Sequence, residues 1–296
     1  MQGLDESKQF EAKHYKKEGD LLKCLACERQ CKIAKGKKGL CGVRKNIGGK
    51  LHALNYGKPI AMHLDPIEKK PLYSFRPKSK CFSISTFGCN FACQFCQNHG
   101  ISKEFTEQQL EATAFVEPEK IIEYAIKSGA EGMAYTYTEP TIFFEYALDI
   151  MKLAKKQALY NVWVSNGYMG QEVRKEIAPF LDAINIDYKG GKEFYKNVCG
   201  GIEIEKVEEN IGFFHKKGIH LEIANLVVPG LNDPKKDFEK MCKFIASLDT
   251  SIPLHFSRFF PNYKLDSLPP TPKETLLLAQ KIAKKQGLEN VFLGNI

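Results

Sequence analysis

Residues 81–98 read CFSISTFGCNFACQFCQN. An aromatic and branched run, CFSISTFG, leads straight into three cysteines, Cys89, Cys93 and Cys96, spaced three and then two residues apart. The run has the length and composition of a buried strand, so the thiols stand at a strand's C-terminal end. A closed zinc site takes four ligands, and so does an ordinary ferredoxin cluster. Three thiolates suit a metal centre that keeps one position open for chemistry. A zinc site completed by His99 is the plain alternative, but it leaves the residues at the other strand ends unexplained.

Working outward, five similar runs follow: GMAYTY (132–137), NVWVSNG (161–167), AINIDYK (183–189), LEIANLVV (221–228) and PLHFSRFF (253–260). Amphipathic segments lie between them. PEKIIEYAIKSG opens with Pro118 at a first helical position and closes on Gly129, with Ile121, Ile122, Ala125 and Ile126 on one face. TPKETLLLAQKIAKKQG reads as a helix with a capping box from Thr271 to Glu274. Six strand–helix units in succession predict an α/β fold, a partial TIM-type (β/α)6 barrel, whose functional residues gather at the strand C-termini. A doubly wound open sheet is the alternative, but no G-x-G-x-x-G follows the first strand.

The first 77 residues are less regular and predict a small N-terminal cysteine-rich domain (1–77), joined near RPKSK to the barrel (78–296). Here Cys24, Cys27, Cys31 and Cys41 read C-x2-C-x3-C-x9-C. Four thiols so close can complete a tetrahedral zinc shell. A second iron–sulfur cluster or unmetallated thiols are the other readings. A zinc ion would contribute on the order of 10 kcal/mol to folding this segment, and the lysines between Cys31 and Cys41 favour thiolate over thiol. Of ten cysteines, seven fall in the two clusters, which is metal-ligand usage rather than a disulfide framework. Cys81, Cys199 and Cys242 read as ordinary buried thiols.

Hydrophobic residues make up 43% and charged residues 26%, as in a globular protein. No apolar run reaches the length of a membrane span, and the polar N-terminal stretch is no signal peptide, so the expected location is the cytoplasm. The net charge of +8 is spread over presumptive helices and loops without interleaved aromatics, which argues against a nucleic-acid partner. It could steer an acidic protein toward the surface. A zinc- or nucleic-acid-binding module is nonetheless the rival function class.

The C-x3-C-x2-C loop, with Phe95 before its last cysteine, resembles the radical S-adenosylmethionine (radical SAM) superfamily. Together with YGKPIAMHLDPIEKKPLYSF, YTYTEPTIF and HFSRFFPNYKLDSLPPTPKETL, it resembles the AmmeMemoRadiSam radical SAM enzymes, relatives of glycyl-radical-enzyme activating enzymes. Many such relatives continue past VFLGNI into a cysteine-rich tail.

The resemblance implies that Cys89, Cys93 and Cys96 hold a 4Fe–4S cluster whose open iron binds S-adenosylmethionine. It implies that Thr138 and Glu139 hold the cofactor's amino group, where the superfamily usually has Gly-Gly-Glu-Pro and this chain has Tyr137-Thr138-Glu139-Pro140. Phe95 is implied to bind the cofactor, and Ser165, Asn166, Asp187 and Lys189 are implied at its ribose and carboxylate, with Lys189 counted among the catalytic residues and His255 and Arg258 completing the ribose and substrate side. The implied reaction is reductive cleavage to methionine and a 5′-deoxyadenosyl radical, which takes hydrogen from a substrate. The expected partners are a small-molecule substrate, or a glycine on a partner protein, and a flavodoxin- or ferredoxin-like electron donor.

Overall fold

The computed structural model describes residues 10–296. Residues 1–9 of the N-terminal stretch read for a signal peptide lie outside them. Near the N-terminus β1 (Tyr15–Glu18), β2 (Leu21–Cys24) and β3 (Lys32–Ile33) form an antiparallel sheet. A hairpin of β4 (Arg44–Ile47) and β5 (Lys50–Ala53) follows. Its two-residue turn is Gly48-Gly49, both at positive φ, as a turn matching the strand twist requires.

The main sheet has eight strands in one linear order. β6 (Ala61–Pro66) pairs antiparallel with β7 (Lys80–Ser85). Then β8 (Gly132–Tyr135), β9 (Tyr160–Ser165), β10 (Ala183–Asp187), β11 (His220–Val227), β12 (Leu254–Arg258) and β13 (Val291–Gly294) add in sequence, all parallel to β7. Among the described residues no pairing joins β13 to β6, so the barrel is partial. The short VFLG segment is therefore a seventh parallel strand that leaves the barrel open.

Alternation decides which side chains face outward. Phe82, Ile84, Ile184 and Ile186 join the main apolar core with Ile121 and Ile122 of helix Pro118–Lys127. Their strand neighbours Ser83, Ser85, Asn185 and Asp187 therefore face the inner side. One end of that inner side is plugged by Ile67 and Leu72, which pack on Cys81, Ala134, Val162 and Ala183.

One expected detail is corrected. The last helix begins at Lys273 with Pro272 at its cap, and Thr271 does not cap it. Instead Thr271 Oγ1 donates to Val227 O at 2.6 Å and accepts from Phe259 N at 2.8 Å, tying β11 to the residues after β12. No helix among the described residues is long and apolar enough to cross a membrane.

Candidate active site

The cysteine loop leaves β7 at its C-terminal end and is fixed mainly through its backbone. Ala92 N donates to Cys199 O at 3.1 Å, and Gln94 N to Val198 O at 3.0 Å. Lys103 Nζ donates to Cys89 O at 2.6 Å. Burial pushes the Cys89 thiol up to about 12, with the Glu139 carboxylate adding to the shift and Lys103 opposing it. Cys93 is also pushed up, by a hydrogen bond with the Cys199 thiol and by burial. Cys96 Sγ lies 3.3 Å from Ser102 Oγ. Asn90 Nδ2, beside Cys89, is buried without a partner.

Glu139 forms the next part of the site. It is 3% exposed and lies at the start of the 3-10 turn Pro140–Phe143. Its Oε1 accepts from Ser165 Oγ at 2.8 Å, Thr141 Oγ1 at 2.6 Å and Thr141 N at 3.1 Å. Its Oε2 accepts from Asn166 N at 2.8 Å. Burial still pushes the carboxyl up, against all these donors. Asn166 Nδ2 donates in turn to Asn90 Oδ1 at 2.8 Å, so the Glu139 turn, the end of β9 and the cysteine loop form one hydrogen-bonded unit. Thr138 is anchored behind it, its Oγ1 donating to Thr86 O at 2.8 Å.

Tyr137 takes the left-handed backbone, φ 63°, that glycine adopts without strain. Asn98 Nδ2 holds its carbonyl at 2.7 Å. Its hydroxyl donates to Asp65, which also receives Lys70 Nζ at 2.7 Å, and the Lys70 ammonium lies 4.5 Å from the Tyr137 ring centre.

After β10, Lys189 Nζ lies 2.8 Å from Asp187 Oδ2 and 5.7 Å from the Phe95 ring centre. Burial works against its charge, but Asp187, with Cys93 and Cys199 in their thiolate forms, more than offsets this and holds its pKa above the ordinary value. Phe95 stacks on Phe194. His255 stands apart from this unit: its Nε2 lies 2.6 Å from Glu222 Oε2, and its ring packs on Tyr73 and Phe292. Arg258 is also engaged elsewhere, its Nε donating to Thr271 O at 2.7 Å.

The sequence reading did not single out Asn90, Asn98, Asp65 or Lys70, and took Tyr137 only as part of the Tyr137-Thr138-Glu139-Pro140 motif. For Asn90 and Asn98 the available signal was position, since each flanks the cysteine triplet. Among the described residues no three Cys, His, Asp or Glu side chains already close on a common point.

The Radical SAM superfamily model matches residues 83–245, from β7 into the helix Lys235–Leu248. The chain belongs to the radical SAM superfamily. It is 42% identical over 288 residues to an uncharacterized protein of Methanocaldococcus jannaschii, covering 97% of this chain and 85% of that one. It is 25% identical over 220 residues to the pyruvate formate-lyase-activating enzyme of Clostridium pasteurianum, covering 67% and 87%. In fold it is similar to a radical SAM methyltransferase of Sphaerobacter thermophilus, with TM-score 0.57 at 12% identity, covering 74% of this chain and 67% of that one.

Radical SAM membership implies an iron–sulfur cluster and S-adenosylmethionine. The donor set fits both. Three thiols stand on one loop at the C-terminal end of the first parallel strand, two of them held up by burial and neighbours, so that a metal would displace their protons. The buried carboxylate of Glu139 is a suitable acceptor for an ammonium group.

Proposed function

We propose that this radical SAM enzyme binds a site-differentiated 4Fe–4S cluster through Cys89, Cys93 and Cys96, and binds S-adenosylmethionine beside it. The observation that carries the reading is the hydrogen-bonded unit of Asn90, Glu139, Ser165 and Asn166, which joins three successive strand ends next to Cys89. Held by these three cysteines, a reduced cluster would supply the electron for reductive cleavage of S-adenosylmethionine, and that cleavage would supply the radical chemistry for taking hydrogen from a substrate.

The chain's own residues orient and shield. Glu139 receives the methionine ammonium, with Thr138 fixing the adjoining backbone. Ser165 and Asn166 hold Glu139 in place and present polar groups to the ribose. Lys189 faces the carboxylate, kept cationic by Asp187, while Phe95 provides an apolar wall. His255, engaged by Glu222, acts on the substrate side of the inner face. The electron comes from a flavodoxin- or ferredoxin-like donor drawn to the basic surface, and the setting is cytoplasmic.

The favoured substrate is a small molecule. Supporting this, Asn185 Oδ1 is buried and unpaired on the inner face, beside the Glu222–His255 pair. A glycine on a partner protein is the second reading, favoured by the similarity to a pyruvate formate-lyase-activating enzyme.

The test is anaerobic reconstitution with iron and sulfide, followed by reduction with S-adenosylmethionine present. Wild type should release 5′-deoxyadenosine, and the triple Cys89→Ala, Cys93→Ala, Cys96→Ala variant should release none. Unchanged release from the variant sinks the assignment. A glycyl-radical signal in an added protein fraction would decide for the protein substrate, and stimulation by a low-molecular-weight fraction alone for the small molecule.

A further inference from the structure

A second cysteine site lies against the first. Cys24 ends β2, Cys27 and Cys31 lie between β2 and β3, and Cys41 lies between β3 and β4. Folding brings all four to the wall of one cavity of about 10 Å³. That is room for about one water-sized sphere, the scale of a single ion.

An independent observation comes from Arg44, which lines the same cavity and is 1% exposed. Two of its nitrogens hold Glu145, at 2.8 and 2.6 Å, but its Nε–H is buried with no acceptor. Buried donors in native proteins are almost always paired. The four cysteines line the same cavity as Arg44, and a metal-bound thiolate there would be an acceptor for it.

The cavity shares a wall with the catalytic loop. Arg29, between Cys27 and Cys31, donates from Nε to Asn90 O at 3.0 Å, and from Nη2 and Nη1 to Gly200 O at 2.6 Å and Gly201 O at 3.1 Å. On the other side of Cys89, a Cβ on Gly88 would stand 2.7 Å from Cys41 O. Both neighbours of Cys89 therefore touch the four-cysteine segment.

We propose that Cys24, Cys27, Cys31 and Cys41 hold one mononuclear zinc ion, and that this ion, through Arg29 and the Cys41–Gly88 contact, braces the loop carrying Cys89. Four thiolates at tetrahedral positions are an established zinc shell. Among the described residues no three such side chains are yet placed to hold a metal ion, so uptake has to draw these four together and release their protons. The bracing role rests on the cluster reading of Cys89; the zinc site does not.

The full chain carrying Cys89→Ala, Cys93→Ala and Cys96→Ala tests the ion. It should purify with about one zinc per chain. Cobalt in its place should give the intense visible bands of a tetrahedral thiolate site, and adding Cys31→Ser should lower the metal content and shift those bands. Iron with sulfide in the triple variant, or no bound metal, overturns the zinc site.

Arg29→Ala in the otherwise wild-type, reconstituted enzyme tests the brace. It should keep its zinc but lose cluster iron to a chelator several-fold faster than wild type. An unchanged rate of iron loss overturns the brace. Zinc without any iron in reconstituted wild type would overturn the cluster reading and the brace together, and leave the zinc site standing.

Discussion

The backbone N–H of Asn166 donates to Glu139 Oε2 at 2.8 Å, joining the loop after β9 to the turn after β8. Glu139 is thus both a candidate cofactor ligand and a structural acceptor, and the two roles separate by substitution. Glu139→Ala strands Ser165 Oγ, Asn166 N and Thr141 N in a buried place, and should cost about 3 kcal/mol or more of stability. Glu139→Gln keeps most acceptors but not the charge. It should leave the melting temperature within a few degrees of wild type while weakening S-adenosylmethionine binding at least tenfold, measured by calorimetry on the cluster-loaded protein.

Gly88 has φ 101°, and its missing Cβ is replaced by the Cys41 carbonyl and the Val43 methyl groups. Gly88→Ala should cost roughly 1–2 kcal/mol from backbone conformation alone, before any displacement of Cys41. Thermal unfolding should show the drop. An alanine at wild-type stability would overturn both the backbone strain at this position and the Cys41 clash.

Arg44 and Glu145 are both essentially inaccessible, and Lys13 N also donates to Glu145 Oε1 at 3.0 Å. Removing one partner of such a pair leaves an uncompensated buried charge and costs about 3–5 kcal/mol. Arg44→Met should therefore unfold at much lower urea, and Arg44→Met with Glu145→Gln should recover part of the loss. A double variant as unstable as the sum of the singles would show that the two do not act as a pair.

Burial pushes the Glu222 carboxyl up, but hydrogen bonds from His220, His255 and the Ser74 amide pull it down to about 2 from an ordinary 4.5. A depressed carboxyl contributes stability that is complete above its unfolded value and is lost as pH falls through its folded one. The contribution is about 3 kcal/mol, present above pH 4.5 and lost progressively toward pH 2. Glu222→Gln should flatten the pH dependence of urea unfolding in that window. An equally steep loss in the variant would assign it to other carboxylates.

The parallel strands were legible because a strand buried on both faces has to be apolar nearly throughout, as in NVWVSNG and AINIDYK. β6 was not legible as a strand: AMHLDP is an edge, with His63 and Leu64 exposed, and an edge strand needs no continuous apolar run. Thr271 misled for a different reason. Thr-x-x-Glu before a helix suits a capping box, but tertiary hydrogen bonds to Val227 and Phe259 claimed the hydroxyl. Within the candidate site, Glu139, Ser165 and Asn166 could be anticipated from their strand ends. The link through Asn90 could not, because it is made between side chains 76 residues apart.

The three carbonyls held by Arg29 lie 61, 171 and 172 residues along the chain from it. Closing loops of that length is entropically late, since such contacts are reached only after the intervening segments have ordered. On the ribosome, the wall around Cys89 is therefore incomplete until synthesis has passed Gly201. If Cys89 holds a cluster as proposed, its stable insertion would follow the assembly of that wall, and a chain stalled before that point would present an unfinished loop.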